Sequence, residues 1–266
     1  MLEVVLLEAR NPGPMTGAGN NTYLIVDGGE AVLIDAGVGH PDHLAAIGRA
    51  LSDRHAALRM VLLTHGHADH ASGAPAIAGA YPGAVFAKFP WPGGEPALPV
   101  TWQPLRNGEH IPIGETAITA VHTPGHSPDH LAFWHAGRRA LFTGDLVIAG
   151  GTVMIEASRG GNLTQYLHSL ERALELGPER LLPSHGPAVE DPPLLVRSYL
   201  EHRRARECQV VAAIRTGRRT VEQIAESIYD GLDPRLMPAA RETVRAHLEK
   251  LAAEGIAVDR GGWHML

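Results

Sequence analysis

The stretch Thr64-His65-Gly66-His67-Ala68-Asp69-His70 decides how this sequence is read. It follows the apolar run at residues 60–63, whose composition predicts a β-strand. His65 and His67, two apart on an extended backbone, point the same way and can share one metal ion. Asp69 and His70 come after a sharp turn and can address a second ion close by. Gly66 and Ala68 are small enough to let the backbone fold tightly around such ions. Crowding imidazoles and a carboxylate together costs desolvation unless something satisfies them. An ordinary polar surface loop is therefore a poor account of this density.

Outward from that stretch, the first 190 residues alternate short β-rich runs with turns. Strands are predicted at residues 4–7, 22–26, 31–34, 60–63, 117–121, 131–134, 140–143 and 180–182, and helices at 41–54, 72–80 and 163–176. Asp27-Gly28-Gly29 marks a hairpin between the second and third of these strands. Asn162 is placed to cap the third helix, and Gly177-Pro178 to stop it. After Pro192-Pro193 the texture turns helical. A long helix is predicted at 194–215, a short one opens with the capping box Thr220-Val221-Glu222-Gln223, and Pro238 begins another that Gly255 ends. A ribbon pairing 256–258 with 263–265 completes the order of a winged helix. The expected fold is α/β, two sheets with outer helices, divided into domains at residues 1–193 and 194–266.

The H-x-H-x-D-H pattern is followed by His126 in His122-Thr123-Pro124-Gly125-His126-Ser127, Asp145 in Phe142-Thr143-Gly144-Asp145 and His185 in Pro183-Ser184-His185-Gly186-Pro187. Together these resemble the metallo-β-lactamase superfamily. The resemblance implies an αββα sandwich. It implies a first metal site of His65, His67 and His126 and a second of Asp69, His70 and His185. Asp145 would span both, with Asp69 and Asp145 as the catalytic carboxylates. Asp35 matches an acid that, in that family, braces the metal loop. Nitrogen and oxygen ligands without cysteine suit two zinc ions, with manganese or iron as alternatives. Such a pair activates water for hydrolysis. His122 and His130 are expected to pack beside the site without binding metal. Other histidines, His43 among them, read as surface or packing residues, Lys88 and Arg159 as solvated charges, and Cys208 as helix packing.

Composition narrows the classes. A single cysteine in 266 residues rules out an internal disulfide framework and fits a reducing cytoplasm. No run approaches the ~20 apolar residues a membrane helix needs, and the N-terminus carries no signal-peptide pattern. A cytoplasmic protein with no membrane partner is the expectation. The net charge of −6 argues against a broadly basic nucleic-acid surface. It is unevenly placed, however: residues 1–194 hold 11 Lys+Arg against 19 Asp+Glu, and residues 195–266 hold 12 against 10.

Three further segments resemble the lactamase-β-like 2 branch, whose animal member is known as a mitochondrial endoribonuclease. They are Asn11-Pro12-Gly13-Pro14-Met15-Thr16 with Asn21-Thr22-Tyr23-Leu24, the loop Gly150-Gly151-Thr152-Val153, and the helix stretch Tyr199-Leu200-Glu201-His202-Arg203-Arg204-Ala205-Arg206-Glu207. That likeness, with the basic residues Arg197, Arg203, Arg204 and Arg206, makes single-stranded RNA the first expected substrate. A small molecule (thioester, lactone or β-lactam) is the alternative, because one metal centre serves all of these. A third reading has the winged helix binding nucleic acid through Arg241 and Arg245, which share a helix face. Glu242 and Glu249 dilute that charge, so a structural clamp is preferred. Oligomeric state leaves no signal.

Overall fold

The computed structural model describes residues 2–95 and 97–266. One sheet runs in sequence order through β1 (Glu3–Glu8), β2 (Asn21–Asp27), β3 (Glu30–Ile34), β4 (Ala57–Leu62), β5 (Val85–Lys88) and β6 (Trp102–Pro104). It is antiparallel up to β3 and parallel from there on. The second sheet holds β7 (His110–Ile113), β8 (Thr116–His122), β9 (Leu131–His135), β10 (Ala140–Gly144) and β11 (Arg180–Pro183), in the order β11-β10-β9-β8-β7. The parallel β10–β11 pair in it is joined through a helix, as a crossover requires.

Side-chain alternation explains how the layers stack. Tyr23 and Ile25 of β2 face the second sheet, where they meet Ile118, Phe133 and Phe142. Leu24 and Val26 face the opposite way, onto Ile47 and Leu51 of α1 (Pro41–Asp53). α2 (Ala68–Ala71) and α3 (Ala74–Ala80) lie on that same side. α4 (Leu163–Glu175) covers the outer face of the second sheet, packing Tyr166 and Leu170 on Ala132, Leu141 and Leu181. The Asn162 side chain accepts a hydrogen bond from the Gln165 amide and so caps α4. Strands buried on both faces read as continuous apolar runs, and Ala140–Gly144 is buried at every position. The result is the expected αββα sandwich.

α5 (Pro192–Arg215) serves two cores. Val196 and Tyr199 pack with α4, whereas Val210, Ala213 and Ile214 pack with α6 (Val221–Ile228) and α7 (Met237–Ala253). Thr220 and Gln223 form the capping box of α6. The ribbon of β12 (Ala257–Asp259) and β13 (Trp263–Met265) closes the winged helix. Among the described residues no helix is long and apolar enough to cross a membrane.

Candidate metal centre

Every residue expected at the site lies just beyond the end of a strand. The β4 end leads into His65 and His67, and Asp69 and His70 then sit on the single turn α2 rather than in an open loop. His126 follows β8, Asp145 follows β10 and His185 follows β11. Two glycines make the close approach feasible. At Gly125 (φ +134°) an added Cβ would lie 2.3 Å from the Tyr166 backbone, and at Gly144 (φ +51°) 2.7 Å from His130 Nε2.

The side chains converge. His67 Nδ1 lies 2.9 Å from His65 Nε2 and 3.0 Å from His126 Nε2. Asp69, His70 and His185 form a neighbouring triad, with Asp69 Oδ2 at 3.4 Å from His70 Nε2 and 3.5 Å from His185 Nε2. Asp145 faces both groups. Its Oδ2 is 3.6 Å from His126 Nε2, and its Oδ1 is 3.5 Å from His70 Nε2 and 3.4 Å from His185 Nε2.

Hydrogen bonds set which nitrogen each ring presents. The Met154 carbonyl can only accept, so His126 Nδ1–H donates to it at 2.9 Å and leaves Nε2 facing the centre. His70 Nδ1 donates to Asp35 Oδ2 at 2.8 Å, with the same consequence. Asp35 also accepts from the Thr64 amide at 2.8 Å, from the Thr64 hydroxyl and from Ser184 Oγ. It adopts φ +64°, a left-handed conformation uncommon outside glycine and retained here by these bonds.

Electrostatics divide the cluster. Burial, then the neighbouring imidazoles, holds His65 well below the ordinary histidine range and His67 down to about 3. Burial also opposes charge on His185, but the facing carboxylates of Asp145 and Asp69 outweigh it and raise the group to about 9. His70 is raised in the same way, by Asp35 and Asp145 against its burial. Burial works against ionised Asp145 too, yet His70 and His185 hold it well below the usual carboxylate range.

This donor set fits a cation. Three imidazole nitrogens, His65 Nε2, His67 Nδ1 and His126 Nε2, meet within hydrogen-bond distance, and burial disfavours a positive charge on His65 and His67. Asp145 Oδ1, closed to solvent, has no hydrogen-bond partner among the described residues. The cluster is able to bind metal ions through nitrogen and oxygen alone.

Residues 15–185 match the family model described as metallo-beta-lactamase superfamily, and residues 220–263 match that described as beta-lactamase associated winged helix domain. The chain belongs to the metallo-beta-lactamase superfamily. It is 31% identical over 264 residues to the Beta-lactamase-like protein 2 homolog of Drosophila melanogaster, covering 95% of this chain and 88% of that one. It is 30% identical over 268 residues to the atrochrysone carboxyl ACP thioesterase dmxR1 of Cryptosporiopsis sp. (strain 8999), covering 95% of this chain and 80% of the relative. A beta-lactamase domain protein from Burkholderia ambifaria shares the fold, with a TM-score of 0.81 at 22% identity over 100% of this chain and 91% of that one. As a member of this superfamily with such relatives, the chain is a metal-dependent hydrolase.

Of the other residues of this metallo-beta-lactamase fold, some keep their expected roles and others depart from them. Lys88 is buried rather than solvated, and pairs with Asp129 at 3.1 Å and Glu95 at 2.7 Å. Arg159, as expected, is exposed, and pairs with Glu156. Cys208 is exposed, not packed. Arg203 is buried, and the Arg206 guanidinium stacks 4.2 Å from the Tyr229 ring centroid, so neither is free for a polyanion. His122 stacks on Phe89 at 3.9 Å, with its Nε2 2.9 Å from the Pro128 carbonyl. Buried His130 accepts from the Asp145 amide at 3.1 Å and so steadies that carboxylate's backbone.

Asn20 escaped sequence reasoning. Buried at the mouth of the site, it donates to Asp69 Oδ2 at 3.0 Å, while Asn11 bonds both its side chain and its amide. A neutral amide in a loop carries no spacing signal. The one available hint was the Asn-Pro-Gly-Pro segment that positions it.

Proposed function

We propose that this chain is a binuclear metallohydrolase acting on small-molecule thioesters, with two zinc ions as the first assignment. The observation that carries the binuclear reading is Asp145, whose two oxygens face separate triads. In this reading His65, His67 and His126 would hold one ion, Asp69, His70 and His185 would hold the other, and Asp145 faces both sets. Divalent cations bound there supply an activated water at neutral pH and Lewis-acid polarisation of a carbonyl. Asp69 and Asp145 are the catalytic carboxylates. Burial opposes the charge on Asp69, but hydrogen bonds from His185 and Asn20 keep it ionised and able to orient the attacking water.

Substrate class follows from the walls. The site opens into a cleft of about 330 Å³ whose lining adds Met15, Ile148, Val153 and Met154, beside Thr152, Glu156 and Arg159, to the cluster itself. Apolar walls next to hydrolytic chemistry suit an acyl chain, and a relative named as an acyl-carrier thioesterase supports that choice. Single-stranded RNA is the competing substrate, and the packing of Arg203 and Arg206 counts against it. We assign the chemistry to residues 1–193 and a bracing role to residues 194–266. A cytoplasmic location is proposed on the lone free thiol alone.

One preparation, loaded with metal and assayed against acylthioesters, lactones, a β-lactam and single-stranded RNA, tests this reading. Thioester turnover with intact RNA is expected. Efficient RNA cleavage with inert thioesters reverses the assignment.

A further inference from the structure

The helix stretch Tyr199–His202-Arg203–Arg206-Glu207 has no part in the chemistry above, yet the structure gives most of it partners. Arg206 and Glu207 face the winged helix: Arg206 lies over Tyr229, and Glu207 pairs with Lys250 of α7 at 2.8 Å. Tyr199 and Arg203 face the opposite way, onto the segment 148–158 that walls the catalytic cleft. The Tyr199 hydroxyl donates to the Ile148 carbonyl at 2.9 Å and accepts from the Ile148 amide at 3.0 Å. The Arg203 guanidinium donates to the Val153 carbonyl and lies 5.4 Å from the Tyr166 ring centroid. From α7, Glu242 accepts from the Ser158 amide at 2.9 Å and is itself paired with Arg245.

The residue after Val153 is Met154, whose carbonyl accepts the His126 Nδ1–H. Arg203 is therefore one peptide away from the group that fixes the His126 ring. Buried arginine is costly to desolvate unless its donors find acceptors, and here an acceptor lies on the segment that needs holding. The inward face of α7 has the same import. A helix whose Ala246 packs with α4 and whose Glu242 caps an active-site loop is not free to enter a nucleic-acid groove.

We propose that Tyr199, Arg203 and Glu242 are positioning residues. By pinning segment 148–158 they set the orientation in which His126 faces the metal centre, which makes the winged helix a brace for that centre. The inference rests on the reading of His126 as a ligand.

The test uses the full chain as wild type, Arg203→Lys, Tyr199→Phe and, as a control, Arg204→Ala at an exposed position of the same helix. Two quantities are read: amide hydrogen exchange of residues 148–158 without metal, and zinc affinity by chelator competition. Arg203→Lys and Tyr199→Phe should each speed exchange in the segment. Each should also weaken one of two zinc equivalents by about tenfold to a hundredfold, the range seen when a ligand's orienting partner is lost. Arg204→Ala should leave both quantities at wild-type values. Tyr199→Phe keeps the ring volume, so it decides the matter if Arg203→Lys folds poorly. Wild-type exchange and affinity in both variants would overturn the proposal. A wild-type protein that took up no zinc or other transition metal would instead sink the ligand assignment, and the link to His126 with it.

Discussion

His70 Nδ1 donates to Asp35 Oδ2 at 2.8 Å, and both side chains are closed to solvent. The bond selects the tautomer that leaves His70 Nε2 facing Asp69 and Asp145. Asp35→Ala would strand His70, Thr64 and Ser184, and each buried donor left unsatisfied costs roughly 1–3 kcal/mol. Urea denaturation of the metal-free protein should register a loss of at least about 3 kcal/mol. Asp35→Asn tolerates the left-handed backbone and should fold better, while metal affinity drops by about tenfold or more. Unchanged stability in Asp35→Ala would mean that the bracing is redundant.

Asp145→Ala should release at least one of two metal equivalents and lower turnover by about a hundredfold or more, because its oxygens face both triads. Circular dichroism should stay native, since the residue sits beyond β10 and outside the sandwich core. Elemental analysis beside the assay checks both halves. Full activity in this variant would place the chemistry elsewhere.

Much of this centre was legible because its residues crowd into short motifs at strand ends, where His65 to His70 alone supply four donors. The strands in between were less legible. β5 and β6 are short, and β7, at the sheet edge, contains Pro112, which reads as a breaker although an edge strand tolerates it. Arg203 misled for a physical reason. α5 buries one face near its start and another near its end, so no single apolar stripe marks which arginines point inward. Lys88 misled likewise, because its partner Asp129 lies far along the chain.

The interior between the sheets should behave as one close-packed layer. Phe133 is fully buried there, against residues of both sheets. Phe133→Ala should cost about 3–5 kcal/mol in denaturant unfolding. A loss below 1 kcal/mol would contradict the packing described.

The pH response of the metal-free protein has two limbs. Burial first, then His40, holds His43 down to about 4, while its Nε2 lies 2.8 Å from Thr22 Oγ1. The unfolded chain takes up a proton that the folded form refuses, so stability from this group is lost as pH falls from about 6.5 through 4. His185, raised to about 9, acts in the opposite sense, and its contribution is lost as pH rises from about 6.5 through 9. Urea midpoints across pH 4.5–9.5 should therefore peak in between. His43→Gln should shrink the acid limb by its share and leave the part due to His65 and His67, and saturating metal should remove the alkaline limb, because a ligating imidazole is neutral. An unchanged acid limb in His43→Gln would assign that loss to other groups.

The question of RNA turns on which arginines remain available. Arg203 is buried against the Val153 carbonyl, so Arg203→Glu would place a carboxylate beside a carbonyl and unfold the module without reporting on substrate. Arg197 and Arg204 are exposed on α5, which makes the double variant Arg197→Glu with Arg204→Glu the cleaner probe. It should fold, hold metal and turn over thioesters as the wild type does. Phosphate contacts would make RNA binding fall steeply with salt, by roughly one power of salt concentration for each phosphate neutralised. An RNA-cleaving enzyme would therefore lose activity both on adding salt and on reversing these charges. Neither loss is expected, because the wild type should leave single-stranded RNA intact even at low salt. Salt-sensitive RNA cleavage that disappears in the double variant would establish the endoribonuclease reading over the thioesterase one.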